Sequence, residues 1–292
     1  MNNLNDCFRA SDTPVCLSDA VDLFSSRLTC NQRIERISIK NTTNRVLAEN
    51  LFAQHNIPPQ DNSAVDGYAV YFDDLNTDCE TCLPIVDRVA AGHPIKRQIE
   101  RGSAVQIFTG APLPKNRNLM GPDTIFMKED VQIENNNVIL PAGAIKYANR
   151  RKLGEDVKSG DLVLRKGHKL RPQDVSMVAS LGYDQVPVYQ RLKVAVFSTG
   201  DEIQDVGENL RLGSIYDANR YFLLSMLKKM DCEVDDFGIF PDIEEQISKG
   251  ILNASKEHDI LLTTGGVSKG EEDHIKSIID NLGALNFWNF AI

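Results

Sequence analysis

Leu192-Lys-Val-Ala-Val-Phe-Ser-Thr-Gly-Asp-Glu202 decides the reading of this chain. Val194 to Phe197 is a continuous apolar run, β-branched in part, of the kind buried on both faces of a parallel sheet. It stops at Ser198-Thr199-Gly200, and two acids, Asp201 and Glu202, follow at once. In an open α/β sheet ligands bind in the loops beyond the carboxyl ends of the strands. A strand that ends in Thr-Gly-Asp-Glu is therefore a candidate binding edge.

Downstream the pattern alternates. A helix is expected over Ala218 to Met230, with Phe222, Leu223, Met226, Leu227 and Met230 as its apolar positions. A second strand is expected over Cys232 to Ile239, a helix from Ile243 to Ser255, and a third strand from Asp259. Alternation of this kind builds a parallel sheet whose crossovers are helices. Phe287 to Ile292 reads as the beginning of a fourth strand. The third strand ends like the first, in Leu262-Thr-Thr-Gly-Gly-Val-Ser-Lys-Gly270. Gly265 and Gly266 let a backbone approach a ligand closely, and Ser268 can cap the next helix. A tight turn with a cap is the plain reading; two such loops at neighbouring strand ends favour an anion or phosphate site.

Upstream the character differs. Between about Phe52 and Tyr147, short runs such as Leu83-Pro-Ile-Val, Ala104-Val-Gln-Ile-Phe, Thr124-Ile-Phe-Met and Asn137-Val-Ile-Leu are separated by Gly, Pro and Asn clusters, the signature of an all-β module. Residues 14–30 have helical spacing of Leu17, Ala20, Val21, Phe24 and Leu28, entered through Thr13-Pro14. Arg45-Val-Leu-Ala is expected to start another short element. Asp161-Leu-Val-Leu reads as a strand, and Arg171-Pro-Gln-Asp opens a helix that Gly182 stops. Helical segments on both sides of the β module predict an insertion, one domain interrupting another.

The chain has 292 residues, 25% of them charged and 42% hydrophobic, with a net charge of −9. That charge disfavours a nucleic-acid backbone as the main ligand. No apolar run approaches the roughly 18 residues of a membrane span, and the first residues show no secretion signal. Six cysteines then read as reduced thiols in a cytoplasmic protein. Cys79 and Cys82 have C-x-x-C spacing without two further ligands nearby, so the spacing is read as chance. The five histidines show no metal spacing, and no G-x-S-x-G elbow or Walker loop is present.

Asp61-Asn-Ser-Ala-Val-Asp-Gly-Tyr-Ala69 holds two acids, and its Asp66-Gly67 dipeptide reads structurally as a turn. Functionally, a carboxylate presented from such a turn suits Mg²⁺, a hard cation that prefers oxygen. Arg150, Arg151 and Lys152 form a cationic run beside Glu155 and Asp156, the usual dress of a solvated face.

Six stretches together resemble one family. They are Pro59-Gln-Asp-Asn-Ser-Ala-Val-Asp-Gly-Tyr-Ala69, Thr109-Gly-Ala-Pro-Leu-Pro114, Arg150-Arg-Lys-Leu-Gly-Glu-Asp156, Phe197-Ser-Thr-Gly-Asp-Glu202, Ile215-Tyr-Asp-Ala-Asn219 and Thr264-Gly-Gly-Val-Ser268. In that order, over nearly the whole chain, they look like the molybdopterin molybdenumtransferases (MoeA, and the gephyrin E domain). Val65 stands where the family usually has Met, and residues 115–122 look like a small loop insertion.

The resemblance implies a multidomain α/β protein. A three-layer molybdopterin-binding domain with a parallel sheet is expected at 189–292, an inserted all-β module at 53–147, and a small mixed α/β domain from 12–52 with 148–188. It implies an enzyme that inserts molybdate into adenylylated molybdopterin, releases AMP and depends on Mg²⁺. A cytoplasmic homodimer is expected, with a molybdopterin adenylyltransferase as candidate partner. By resemblance the catalytic acids fall on Asp66, Glu202, Asp242 and Asp273, of which Asp66, Asp242 and Asp273 would hold the metal. Thr109, Asp156, Ser198, Thr199, Gly200, Gly265, Gly266 and Ser268 would contact the pterin nucleotide. The family continues beyond this point with a Lys-Pro-Gly-Lys-Pro stretch, a Gly-Leu-Pro-Gly-Asn-Pro loop and a small β domain, so a C-terminally truncated member is expected. Two other readings stay open: a relative that binds or scaffolds without turnover, and a molybdopterin adenylyltransferase.

Overall fold

A computed structural model describes residues 15–27, 33–115, 121–266, 274–283 and 290–291. The chain divides into two compact units, Ile37–Val186 and the combination of Met1–Arg36 with Pro187–Ile292. The expected entry Thr13-Pro14, Leu28, most of the loop at 115–122, Ser268 and Asp273 lie outside the described residues. The first helix, α1, runs Leu17–Arg27. Of its apolar positions Ala20 is buried, whereas Leu17 and Val21 are exposed.

In the unit Ile37–Val186 a six-stranded sheet carries the core. Its strands are β1 Gly67–Val70, β2 Thr81–Val89, β3 Ala104–Ile107, β4 Thr124–Met127, β5 Gln132–Glu134 and β6 Asn137–Leu140, in the order β4-β1-β3-β2-β6-β5. All neighbours are antiparallel except β2 and β3. Side chains alternate with the period of two that a pleated strand imposes. Ala69, Val105, Ile107 and Ile125 enter one core, while Tyr68, Val70, Ala104 and Phe126 enter the other. Strands β1, β3 and β4 are therefore buried on both faces, whereas β2 alternates buried and exposed positions and β5 is exposed.

Segments flanking this sheet pair with each other: Leu51–Phe52 with Leu162–Leu164, and Asn62–Ser63 with Arg150–Arg151. Arg45-Val-Leu-Ala forms no element of its own; Val46 makes an isolated bridge to Lys169, and Leu47 and Ala48 are buried. Helix α2, Pro172–Ser180, starts with proline at its first position. Asp174 accepts hydrogen bonds from the Arg171 amide at 2.9 Å and from His168 Nε2 at 2.8 Å, which holds its carboxyl well below the usual range, the Arg171 guanidinium contributing most.

The other unit contains β7 Lys193–Thr199, α3 Ala218–Lys229, β8 Glu233–Phe240, α4 Glu244–Ala254, β9 Ile260–Thr264 and α5 Ile275–Leu282. The three strands are parallel in the order β8-β7-β9. Val194 and Val196 pack with Leu223 and Leu227 of α3 on one face. Phe197 packs with Ile247 of α4 and with Ile275 and Ile278 of α5 on the other. Helices thus cover both faces, which is why β7 reads as an unbroken apolar run. At the amino end of β9, His258 is held between the Ala254 carbonyl at 2.9 Å and Asp235 at 2.8 Å. No described helix is long and apolar enough to cross a membrane.

The turn expected at Asp66-Gly67 is a strand start. Asp66-Gly67 is not a hairpin turn, because Gly67 opens β1 and pairs with both Ile107 and Met127. A Cβ on Gly67 would stand 1.7 Å from the Phe126 carbonyl oxygen. Glycine is required here by the close approach of the Phe126 backbone from the neighbouring strand and not by turn geometry. Gly67→Ala is expected to lose about 3 kcal/mol of urea-unfolding stability; a midpoint within error of the parent's would show that the approach is not a constraint.

Candidate functional site

Because β7 is central and its neighbours follow on opposite sides, the chain reverses its direction of winding beyond the carboxyl end of β7. That switch point leaves a crevice where ligands bind in such sheets. Three loops meet there: Thr199–Glu202 after β7, Pro241-Asp242 after β8, and Gly265-Gly266 after β9.

Gly265 and Gly266 have φ of 91° and 61°, the left-handed region that side chains resist. A Cβ on Gly265 would stand 2.1 Å from the Thr199 carbonyl oxygen, and one on Gly266 would stand 2.6 Å from Thr199 Oγ1. The two loops therefore touch backbone to backbone. Thr199 Oγ1 is buried and has no hydrogen-bond partner. Gly200, at φ 138°, leaves room for the Glu202 carboxylate, whose Oε2 would be 2.5 Å from a Cβ at that position. Asp201 and Asp242 bind reciprocally: the Asp201 amide donates to Asp242 Oδ2 at 3.1 Å, and the Asp242 amide donates to Asp201 Oδ1 at 3.2 Å. Asn219 Nδ2 donates to Thr264 Oγ1 at 3.1 Å, tying the start of α3 to the end of β9.

Ser198, the last residue but one of β7, donates to Asp217 Oδ2 at 2.6 Å. Asp217 is the N-cap of α3 and also accepts from the Arg220 amide at 3.0 Å. Burial pushes the Asp217 carboxyl up, but the Ser198 hydroxyl and the Arg220 guanidinium outweigh it and hold it below its ordinary value. Sequence reasoning selected Ile215 to Asn219 and stopped one residue short of Arg220. The signal was an N-cap Asp with Arg three positions later, which reads as an ordinary helix start.

In the unit Ile37–Val186 the structure brings together three of the quoted stretches. Ser63 accepts from the Gly110 amide and donates to the Ala111 carbonyl, joining 61–66 to 109–112. Arg150 Nη2 donates to Asp61 Oδ2 at 2.8 Å, joining 150–156 to the same place. Asp66 Oδ1 accepts from both the amide and the hydroxyl of Thr109, each at 2.8 Å, and Lys128 Nζ lies 3.7 Å from Oδ2. The Thr109 amide, its hydroxyl and Lys128 hold the Asp66 carboxyl below its usual value. Asp156 is paired with Arg151, which also binds Glu155 at 2.7 Å, so this part of the cationic run is neutralised within its own loop.

Ser198, Thr199, Gly200, Glu202, Asp242, Gly265 and Gly266 thus share one strand edge, whereas Asp66, Thr109 and Asp156 belong to the other unit. Ser268 and Asp273 lie outside the described residues. Among the described residues no three His, Cys, Asp or Glu side chains gather as a metal site.

Residues 15–182 match the family model described as the MoeA N-terminal region (domain I and II). The chain belongs to the MoeA family. Residues 195–291 match a second model, the probable molybdopterin binding domain, which contains the whole edge built above. A molybdopterin molybdenumtransferase of Haemophilus influenzae is 40% identical over 259 residues, covering 88% of this chain and 62% of the relative. Another, from Nostoc sp., is 34% identical over 265 residues, covering 88% of this chain and 59% of the relative. The chain spans about three fifths of the length of these curated relatives. The crystal structure of the molybdopterin biosynthesis moeA protein from Pyrococcus horikoshii superposes with a TM-score of 0.79 at 32% identity, covering 87% of this chain and 67% of that one. The MoeA resemblance carried by the six sequence stretches is confirmed.

The Asp66–Thr109 pair generates a pH prediction. Thr109→Val removes the hydroxyl donor and leaves the amide, so the Asp66 carboxyl is expected to titrate at higher pH than in the parent. Side-chain carboxyl NMR reads this directly, and an unmoved or lowered midpoint would show that the hydroxyl does not stabilise the ionised form.

Proposed function

We propose that this chain acts in molybdenum cofactor biosynthesis, where it binds adenylylated molybdopterin and takes part in molybdate insertion with release of AMP. The observation that carries the reading is the strand edge at Thr199, Gly265 and Gly266. Left-handed glycines let the loop after β9 close directly onto Thr199, whose buried hydroxyl has no partner, and turns of this kind form concavities that suit a phosphate. Ser198, Thr199, Gly200, Gly265, Gly266 and Ser268 are proposed as pterin-nucleotide contacts. Thr109 and Asp156 are proposed as contacts contributed by the unit Ile37–Val186.

Magnesium fits the donors at the edge. Asp201 and Asp242 each have one oxygen engaged by a backbone amide, and hard carboxylate oxygens suit this ion, which is commonly held by one or two carboxylates with substrate phosphates and water completing its shell. Asp242, with Asp201 beside it and Asp273 from the expected set, would hold the ion. Bound there, it would supply charge neutralisation for a phosphate leaving group. Asp66 suits a metal less well, since its Oδ1 carries two hydrogen bonds and its Oδ2 faces a lysine. We assign Asp66 to holding Thr109 in place. Glu202, folded over Gly200, is proposed as the remaining acid of the reaction.

The names of the relatives support an enzyme, a molybdopterin molybdenumtransferase. A cytoplasmic homodimer and a molybdopterin adenylyltransferase partner belong to the same proposal, as do an inserted module at 53–147 and a discontinuous domain from 12–52 with 148–188. The test is retention of adenylylated molybdopterin on the purified chain, followed by AMP release on adding molybdate and Mg²⁺. Asp242→Asn is expected to lower release about tenfold or more, the scale for one lost charged contact. A parent chain that retains no adenylylated pterin would refute the proposal.

A further inference from the structure

Among the described residues Arg220 is the largest fully buried side chain, and it lies in the first turn of α3. Its Nε donates to Asp217 Oδ2 at 2.8 Å, Nη1 contacts both oxygens of Asp236, and Nη2 lies 2.8 Å from Asp205 Oδ1. A guanidinium presents its donors in a fixed planar fork, so partners on three sides are held in fixed relative positions.

Two of these partners sit where the edge is shaped. Asp217 caps α3 and anchors Ser198 at the end of β7. Asp236 marks a break in the register between β7 and β8. Val196 pairs with Asp236, yet Ser198 pairs with Ile239, so β8 carries one extra residue over that interval. Gly238, at φ 75°, makes the bulge possible, and its amide donates to Asp236 Oδ1 at 2.9 Å. Bulges are rare between parallel strands and re-aim the residues beyond them. Here the bulge brings Pro241-Asp242 level with Asp201. Removing it would slip the end of β8 by one residue and turn its side chains to the opposite face.

We propose that Arg220 is a positioning residue for the binding edge: by gripping Asp236 at the bulge and Asp217 at the α3 cap, it fixes where β7 and β8 end and so sets Asp242 against Asp201. The proposal rests on the edge being the nucleotide-pterin site, and its test separates the two. Hydrogen exchange on the whole chain compares the parent with Arg220→Lys, Asp236→Asn and His258→Gln. The last removes a buried partner from the opposite end of the same sheet. Calorimetry with AMP and Mg²⁺ is then run on each protein.

Arg220→Lys and Asp236→Asn are expected to raise exchange about tenfold at residues 200–203 and 238–243 and to weaken AMP uptake by a similar factor. His258→Gln is expected to leave both unchanged relative to its overall stability. Exchange in those segments that is unaltered, or altered no more than in His258→Gln, overturns the positioning role. A parent chain that takes up no AMP overturns the ligand reading, and the exchange comparison still decides for or against Arg220. Should Arg220→Lys fail to fold, Asp236→Asn alone carries the comparison, because Asp236 is only partly buried.

Discussion

A guanidinium removed from water needs carboxylates around it, and in this chain the three that surround Arg220, Asp205, Asp217 and Asp236, organise the parallel-sheet unit. Arg220 and Asp217 are both almost wholly buried. Breaking such a pair by removing one partner leaves an uncompensated charge and costs about 3–5 kcal/mol. The pair also spans elements that apolar packing alone would leave free to slide. Val194 and Val196 pack against Leu223 and Leu227 through non-directional apolar contact, whereas a guanidinium fork is directional. Apolar contact supplies the adhesion of the layers, and the buried ion pair supplies their register.

The edge beyond the strands is a consequence of that register. Thr199 and the two glycines after β9 meet with no space for a Cβ, and Asp201 and Asp242 face each other through their own amides. Each constraint is local, yet they converge because strands β8, β7 and β9 all end on one side of the sheet. The unit Ile37–Val186 uses a different device. The central strands of its mixed sheet are buried on both faces, and a compact lattice of backbone hydrogen bonds gathers the loops around Asp61, Ser63 and Ala111. Asp66 and Thr109 are fixed there by each other.

Much of this was legible in the sequence, for reasons that differ by element. Strand β7 announced itself because burial on both faces forces an unbroken apolar run, and β9 did so through Ile260-Leu-Leu although it is only partly buried. Helix α2 announced itself through its proline start and glycine stop, and α3 through its apolar spacing, although Phe222, Met226 and Met230 of that spacing are exposed. The glycines at 265 and 266 pointed to a binding loop because the neighbouring strand ends in a loop of matching form, Thr199-Gly200. Gly67 misled, since a glycine after aspartate reads as a turn, and only the approach of Phe126 from a strand far along the chain shows its purpose. Arg220 and Asp236 were silent. Charged residues are normally read as surface, and a bulge depends on pairing between strands that periodicity within one strand cannot reveal. The apolar positions of α1 were visible as a pattern, but Leu17 and Val21 stay exposed, so pattern and burial parted company there.

The central claim is that the carboxyl edge of the parallel sheet receives the phosphate end of a pterin nucleotide. Amide chemical shifts recorded while AMP is titrated with Mg²⁺ test it most directly. The account predicts that the amides of Gly200, Asp201, Asp242, Gly265 and Gly266 move together and saturate, with β1 to β6 unaffected. Saturable shifts confined to other residues, or none at this edge, would contradict it.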